Sequence, residues 1–312
     1  MRLHVINREH TADGAVGASA PRPARRVLLL ALAAVVAALI AGCGGSDDES
    51  SPSAPDQGVV VEAGPQHVHG LGVNPADGDL YIATHSGLWR ARQDETKARR
   101  VGDIRHDLMG FTVAGENDFL ASGHPDGRSD LPSQLGLQRS TDGGRSWKTV
   151  SLLGEADLHV LRAAGERLYG VDSGTGAFIT SSDGGRSWEQ RTPPAPVFDV
   201  AVAPDDQERI VATTERGLFS STDTGRTWRA LHADIAGLLA WPADDALYLV
   251  DGDGTVSRST DGGRQFERMG SVGAQPEAFA ANGGRELYAA VHGGKVVMST
   301  DGGQRWRTRS TP

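Results

Sequence analysis

The sequence predicts an all-β fold, a six-bladed propeller of four-stranded antiparallel blades, and three observations predict it. The octapeptide Ser140-Thr141-Asp142-Gly143-Gly144-Arg145-Ser146-Trp147 recurs four more times, its aspartate falling at 142, 183, 223, 261 and 301, in steps of 41, 40, 38 and 40 residues. A period near 40 residues suits one four-stranded blade, a unit that buries its faces only by stacking on copies of itself. Short apolar runs also recur at one place in each repeat: LYIAT, FLASG, LYGVD, IVATT, LYLVD and LYAAV, starting at residues 80, 119, 168, 210, 247 and 287. Finally, 41 glycines and few helical patterns argue against an α/β alternative.

Taken from the N-terminus, residues 1–42 are expected to stand outside the fold as a signal peptide. Arg22, Arg25 and Arg26 precede the apolar run Val27–Ala41. That run is short for a bilayer span, which needs roughly 20 residues, and suits a signal-peptide core. It ends in Leu39-Ile40-Ala41-Gly42-Cys43, which resembles the lipobox of bacterial lipoproteins. The resemblance implies cleavage before Cys43, acylation of that residue, and a chain held extracytoplasmically on the cell membrane by its N-terminal lipid. Cys43 is the sole cysteine, so the exported domain is expected to lack disulfides. Residues 43–58 supply the acylated cysteine and a small, acidic, proline-containing tether that cannot bury apolar surface. Without residues 1–42 the chain keeps 26 basic and 38 acidic residues, a net charge of −12. No basic stripe interrupts this balance, which excludes nucleic acid as a partner.

Residues 59–312 carry the propeller. Unit one, about 65–102, has strand-like runs but no copy of the octapeptide; units two to six span 103–152, 153–194, 195–232, 233–272 and 273–312. Val59-Val60-Val61 is expected to pair with a terminal blade and close the ring. Within each copy the aspartate accepts hydrogen bonds from the backbone N–H groups ahead of it and closes a turn. The glycine two residues on supplies a positive φ, and the aromatic residue, Trp or Phe266, starts the next strand and buries its ring between blades.

This pattern resembles the Asp-box, or BNR, repeat of sialidase-like propellers. The resemblance makes Asp142, Asp183, Asp223, Asp261 and Asp301 structural turn residues far from any active site. Sialidases of that family use an arginine triad, a tyrosine nucleophile with a glutamate partner, and an aspartate acid/base, near a Phe/Tyr-Arg-Ile-Pro stretch. No such stretch occurs here; Arg209-Ile210 lacks the proline. Tyr81, Tyr169, Tyr248 and Tyr288 all occupy one second-strand slot, a packing position that leaves no tyrosine as nucleophile. Arg105, Arg128, Arg162 and Arg216 are too scattered to form a triad. Asp-box propellers also serve as non-enzymatic assembly and recognition modules, among them photosystem II assembly factors and sortilin-type receptors.

Strand alternation sends the loops between strands 2 and 3, and the blade-to-blade connections, to one face. His85, His124, Asp172, Glu215, Asp251 and His292 lie in the former. His67, His69, His106, Asp107, Asp157, His159, Asp199, His232 and Glu277 lie in the latter or at inner-strand starts. All eight histidines beyond residue 60 are therefore expected on that face, with the long loop 123–136 as a wall or lid. His67, His69, His85, His106, Asp107, His124, His159, Asp172 and His292 form the expected ligand-binding set. Period-2 alternation points His67 with His69, and Asp157 with His159, at one volume. Imidazoles with carboxylates suit a divalent metal, for which His67, His69 and His159 are the ligand candidates, or a polar ligand. Three functions stay open: binding of a glycan or protein partner without turnover; glycoside hydrolysis, exo-α-sialidase-like or by two carboxylates drawn from Asp107, Asp157, Asp199 and Glu215; and a metal-dependent enzyme using His67, His69 and His159.

Overall fold

Six four-stranded antiparallel sheets follow one another along the chain, each made of four consecutive strands. They are seen in a computed structural model that describes residues 64–312. The signal segment, Cys43, the tether and Val59-Val60-Val61 lie outside the described residues. The innermost strands are Val68–Val73, Asp107–Gly115, Leu158–Ala164, Val197–Val202, Leu238–Ala243 and Pro276–Asn282. The second strands, such as Leu80–Thr84, Ile210–Thr214 and Ala246–Val250, coincide with the recurring apolar runs, and these three are buried at every residue. Burial on both faces explains why they read as continuous apolar runs instead of alternating. Outermost strands such as Lys148–Ser151 and Arg229–His232 have two exposed and two half-buried residues each.

The core lies between blades. Six apolar clusters each draw on two adjacent sheets; Tyr81, Leu88, Phe111 and Phe119 join blades 1 and 2, and Val200, Ile210 and Phe178 join blades 3 and 4. The sixth cluster joins Leu80, Ile82 and Trp89 of blade 1 to Tyr288, Val296 and Met298 of blade 6, so the ring is closed.

Blade 6 is completed by its own strand Arg307–Ser310. At that seam blade 1 has no Asp-box, and Arg309 stands in for one. Its guanidinium, 7% exposed, donates to the carbonyls of Ala91, Arg92 and Glu95 at 2.8–2.9 Å, beside a parallel bridge between Lys97 and Thr311.

Each Asp-box builds the turn expected of it. Asp142 Oδ1 accepts from the N–H groups of Arg145 and Ser146 at 3.0 and 2.9 Å, its Oδ2 from Ser146 Oγ at 2.6 Å, and Ser140 Oγ accepts from the Gly144 N–H at 2.8 Å. The box aromatics differ from expectation in detail. Trp147 sits one residue ahead of its strand and is half-buried against the seam between blades 1 and 2.

Candidate functional site

The inner strands open on the histidine-bearing face with a repeated irregularity. In five blades the register with the second strand slips by one residue, between Val68 and Gly70, Leu108 and Gly110, Val197 and Asp199, Pro276 and Ala278, and opposite Val171/Asp172 in blade 3. The extra residues are His69, Met109, Phe198, Glu277 and His159. A β-bulge leaves its extra residue unpaired and re-aims its side chain. All five line one cavity of about 190 Å³ at the centre of this face. The opposite mouth of the channel, about 360 Å³, has Arg162 as the only charged residue in its wall. A crevice of about 530 Å³ on the seam between blades 1 and 2 is walled by Arg90, Arg92, Arg99 and Glu95, with Arg90 paired to Asp79 at 2.6 Å. Imidazole and carboxylate thus meet at the bulged mouth.

Two triads stand there, each spanning a seam: His69 and His85 of blade 1 with Asp107 of blade 2, and His124 of blade 2 with Asp157 and His159 of blade 3. In the first, His85 Nδ1 lies 2.6 Å from Asp107 Oδ2, and His69 Nε2 lies 3.3 Å from His85 Nδ1 and 3.6 Å from Asp107 Oδ1. Burial first, then the neighbouring His85, lowers His69 to about 4, so its ring is neutral at physiological pH. In the second triad, His159 Nε2 and His124 Nε2 approach Asp157 Oδ2 at 2.7 and 3.1 Å. Burial pushes the Asp157 carboxyl up, but the His159 hydrogen bond and nearby imidazole charge outweigh it and hold the group below its usual range. The same hydrogen bond raises His159.

The other expected residues have separate places. His67 adopts φ 50° and sets its ring 5.2 Å from that of His85, so it reaches the first triad through a left-handed residue and not through strand alternation. The expected metal set of His67, His69 and His159 is therefore not assembled; His69 and His159 belong to different triads. His106 Nδ1 accepts from the Asp126 N–H at 3.1 Å and pins the long loop. His292 pairs with Glu277 at 3.2 Å, and Glu277 also accepts from the Val68 N–H across the closing seam.

Three carboxylates have structural partners or stand apart. Asp172 accepts from Thr175 Oγ1 at 2.6 Å and from the Asp157 N–H at 2.9 Å, which makes it a turn-former. Asp199 is buried and satisfied by Arg162 at 2.6 Å and by the N–H groups of Val200 and Leu239, tying blades 3, 4 and 5 together. Glu215 is exposed in the 2–3 loop of blade 4, its backbone N–H donating to Pro196 O. His232 departs from the others: its Nε2 lies 3.1 Å from the Gly263 carbonyl in the next blade's Asp-box, and its ring packs on Phe266. The tyrosines pack as expected, with the hydroxyls of Tyr169 and Tyr248 donating to the carbonyls of Gln207 and Gly284 in the neighbouring blades' 1–2 turns.

Sequence reasoning missed the apolar members of this face. Phe198, Leu131 and Leu153 are the exposed large hydrophobics among the described residues, 48%, 41% and 36% accessible, and all three lie at the mouth or on its flanking loops. The signal was available for Phe198, which aligns with His69 and His159 once the bulge is counted.

No protein-family model matches the chain. The photosystem II assembly lipoprotein Ycf48 of Synechococcus sp. (strain CC9902) is 27% identical over 55% of this chain and 55% of its own length. A sialidase of Micromonospora viridifaciens is 24% identical over 80% of this chain and 51% of its own length. The chain thus spans about half the length of these curated relatives. Among solved structures, the GH74 enzyme of Niastella koreensis matches with a TM-score of 0.56 at 17% identity, over 80% of this chain and 46% of that one. By its repeats, its six blades and these likenesses, the chain is a sialidase-like propeller of the Asp-box, or BNR, type.

Proposed function

We propose that this propeller is held outside the cytoplasm by a lipid on Cys43 and binds a protein partner on its His/Asp-rich face without turning it over. The observation that carries the reading is that Phe198, in the wall of the imidazole–carboxylate mouth, and Leu131 and Leu153, on blade 2 loops that open to the same face, are the exposed large hydrophobics among the described residues. Exposed aromatic and aliphatic anchors ringed by polar groups are the composition of protein docking surfaces. The similarity to Ycf48, a photosystem II assembly lipoprotein, supports the same class of use.

A photo-crosslinking amino acid at Phe198 or Leu131, in cells of the native host, is expected to trap a discrete protein adduct. The same probe at Ser146, on the Asp-box face, is expected to trap none. Adducts at Ser146 alone overturn the reading. Purified domain is expected to release no chromophore from a panel of aryl glycosides; turnover abolished by Asp107→Asn or Asp157→Asn replaces binding with glycoside hydrolysis. Cys43→Ser is expected to move the protein from the membrane to the soluble fraction, and retention in the membrane argues for an uncleaved anchor.

A further inference from the structure

The second triad holds a buried carboxylate oxygen that hydrogen bonding within the protein leaves unused. His124 Nδ1 lies 2.8 Å from the carbonyl oxygen of Ser133. A carbonyl only accepts, so Nδ1 carries the ring hydrogen, and in the neutral ring Nε2 is a bare lone pair. That lone pair faces Asp157 Oδ2 at 3.1 Å, an oxygen that already receives His159 Nε2 at 2.7 Å and Ser173 Oγ at 2.9 Å. Asp157 itself is 2% exposed, and its other oxygen, Oδ1, is buried with no hydrogen-bond partner. With His124 neutral, two electron-pair donors thus face one another beside a buried carboxylate with spare capacity, an arrangement that a proton on Nε2 or a metal cation satisfies.

The geometry is that of a ligand set. Bonds of about 2.0–2.1 Å to imidazole nitrogen and carboxylate oxygen put neighbouring ligand atoms about 2.9–3.3 Å apart; His124 Nε2 and Asp157 Oδ2 fall within that range at 3.1 Å, while His159 Nε2, at 2.7 Å from Asp157 Oδ2, must move slightly outward to join the set. The Ser133 carbonyl is the outer partner that ligating histidines ordinarily have, fixing the tautomer and the ring. His124 and His159 are 44% and 40% exposed, which opens a path for entry. A second group of two imidazoles and one carboxylate, His69, His85 and Asp107, lies one blade earlier, where Asp107 Oδ1 is buried without a hydrogen bond and has His69 Nε2 at 3.6 Å.

We propose that His124, Asp157 and His159 bind one borderline divalent transition metal, zinc or copper(II), with the remaining positions open to water. Two imidazoles and one carboxylate suit these ions better than calcium or magnesium, which favour all-oxygen sets. The ion replaces the proton on His159 Nε2 and clamps the base of the long loop, through His124, onto blade 3. The inference stands apart from the partner reading; a protein that takes up metal and no partner, or the reverse, fails one and not the other.

The test is titration of the metal-free mature chain with Zn²⁺ and with Cu²⁺, followed by calorimetry. Wild type is expected to take up at least one equivalent, and His124→Ala and His159→Ala are each expected to weaken the tightest equivalent at least 30-fold. His124→Gln at this exposed position repeats the measurement if the alanine change perturbs the loop, and circular dichroism confirms the fold. Copper(II) electron paramagnetic resonance should report two nitrogen ligands in wild type and one in His124→Gln. Unchanged affinity in these variants, or no uptake by wild type at millimolar metal, overturns the proposal.

Discussion

Asp142 and Ser140 close one corner of the propeller, and the glycine between Asp142 and the aromatic residue decides whether that corner fits against its neighbour. Gly144 has φ 85°, and a Cβ there would collide with Leu88 in the preceding blade; Gly283 has φ 67° and open space around it. Gly144→Ala therefore adds overpacking to backbone strain and should cost about 2–4 kcal/mol. Gly283→Ala carries the strain alone and should cost roughly 1–2 kcal/mol. Urea denaturation of the two variants measures the difference, and equal losses would count against the close approach.

The same corners set the response to acid. The Ser146 side-chain hydrogen bond leads the causes that hold Asp142 at about 2, and the Thr227 side-chain hydrogen bond leads those that hold Asp223 at about 2. A carboxyl depressed in the folded state contributes stability that is present above its unfolded value, about 3.9, and is lost as pH falls through the folded one. Melting temperature should hold down to pH about 4 and fall between 4 and 2. Ser146→Ala, which removes the leading donor to Asp142 and lets its folded value rise, should make that fall smaller and end it at higher pH; an unchanged profile would show that the boxes do not govern acid stability.

At the scale of elements, two devices depart from regular pairing. The bulges at the inner-strand starts turn one side chain per blade into the mouth, so the chemistry of this face is set by single residues, His69, Met109, His159, Phe198 and Glu277, and not by an alternating stripe. The closing seam depends on Arg309, whose three charge-assisted hydrogen bonds take the place of an Asp-box in blade 1. Arg309→Met strands three carbonyls and should cost about 2–4 kcal/mol. Exposed Arg307→Met, two residues earlier, should change stability by less than about 0.5 kcal/mol. Comparable losses in both variants would mean that the closure lies elsewhere.

For the molecule as a whole, each core is shared by two blades, so no blade keeps its apolar surface covered when its neighbour leaves. Unfolding should be one cooperative event, with tryptophan fluorescence and far-ultraviolet circular dichroism tracing the same urea transition; separated transitions would show that part of the ring survives alone. The blade count, the second strands, the box turns and the side that gathers irregular loops were all legible beforehand. They depend on period, strand alternation and turn chemistry within about 40 residues. Asp157 beside His159 was legible from their two-residue spacing at a strand start, although it is the bulge at His159 that sets the side chain. His85 with Asp107, and His124 with Asp157, were not, because each pair spans a seam whose twist and register exist only after the blades pack. His232 shows the limit from the other direction. It lies at the expected end of its strand, yet its ring turns to the next blade's Gly263 carbonyl. Local sequence chemistry thus determined the wedges and their corners, because hydrogen bonds to nearby backbone and apolar periodicity act within one blade. Which side chains share a volume was decided by packing between blades, through the bulges, the crossed seams and the closure at Arg309.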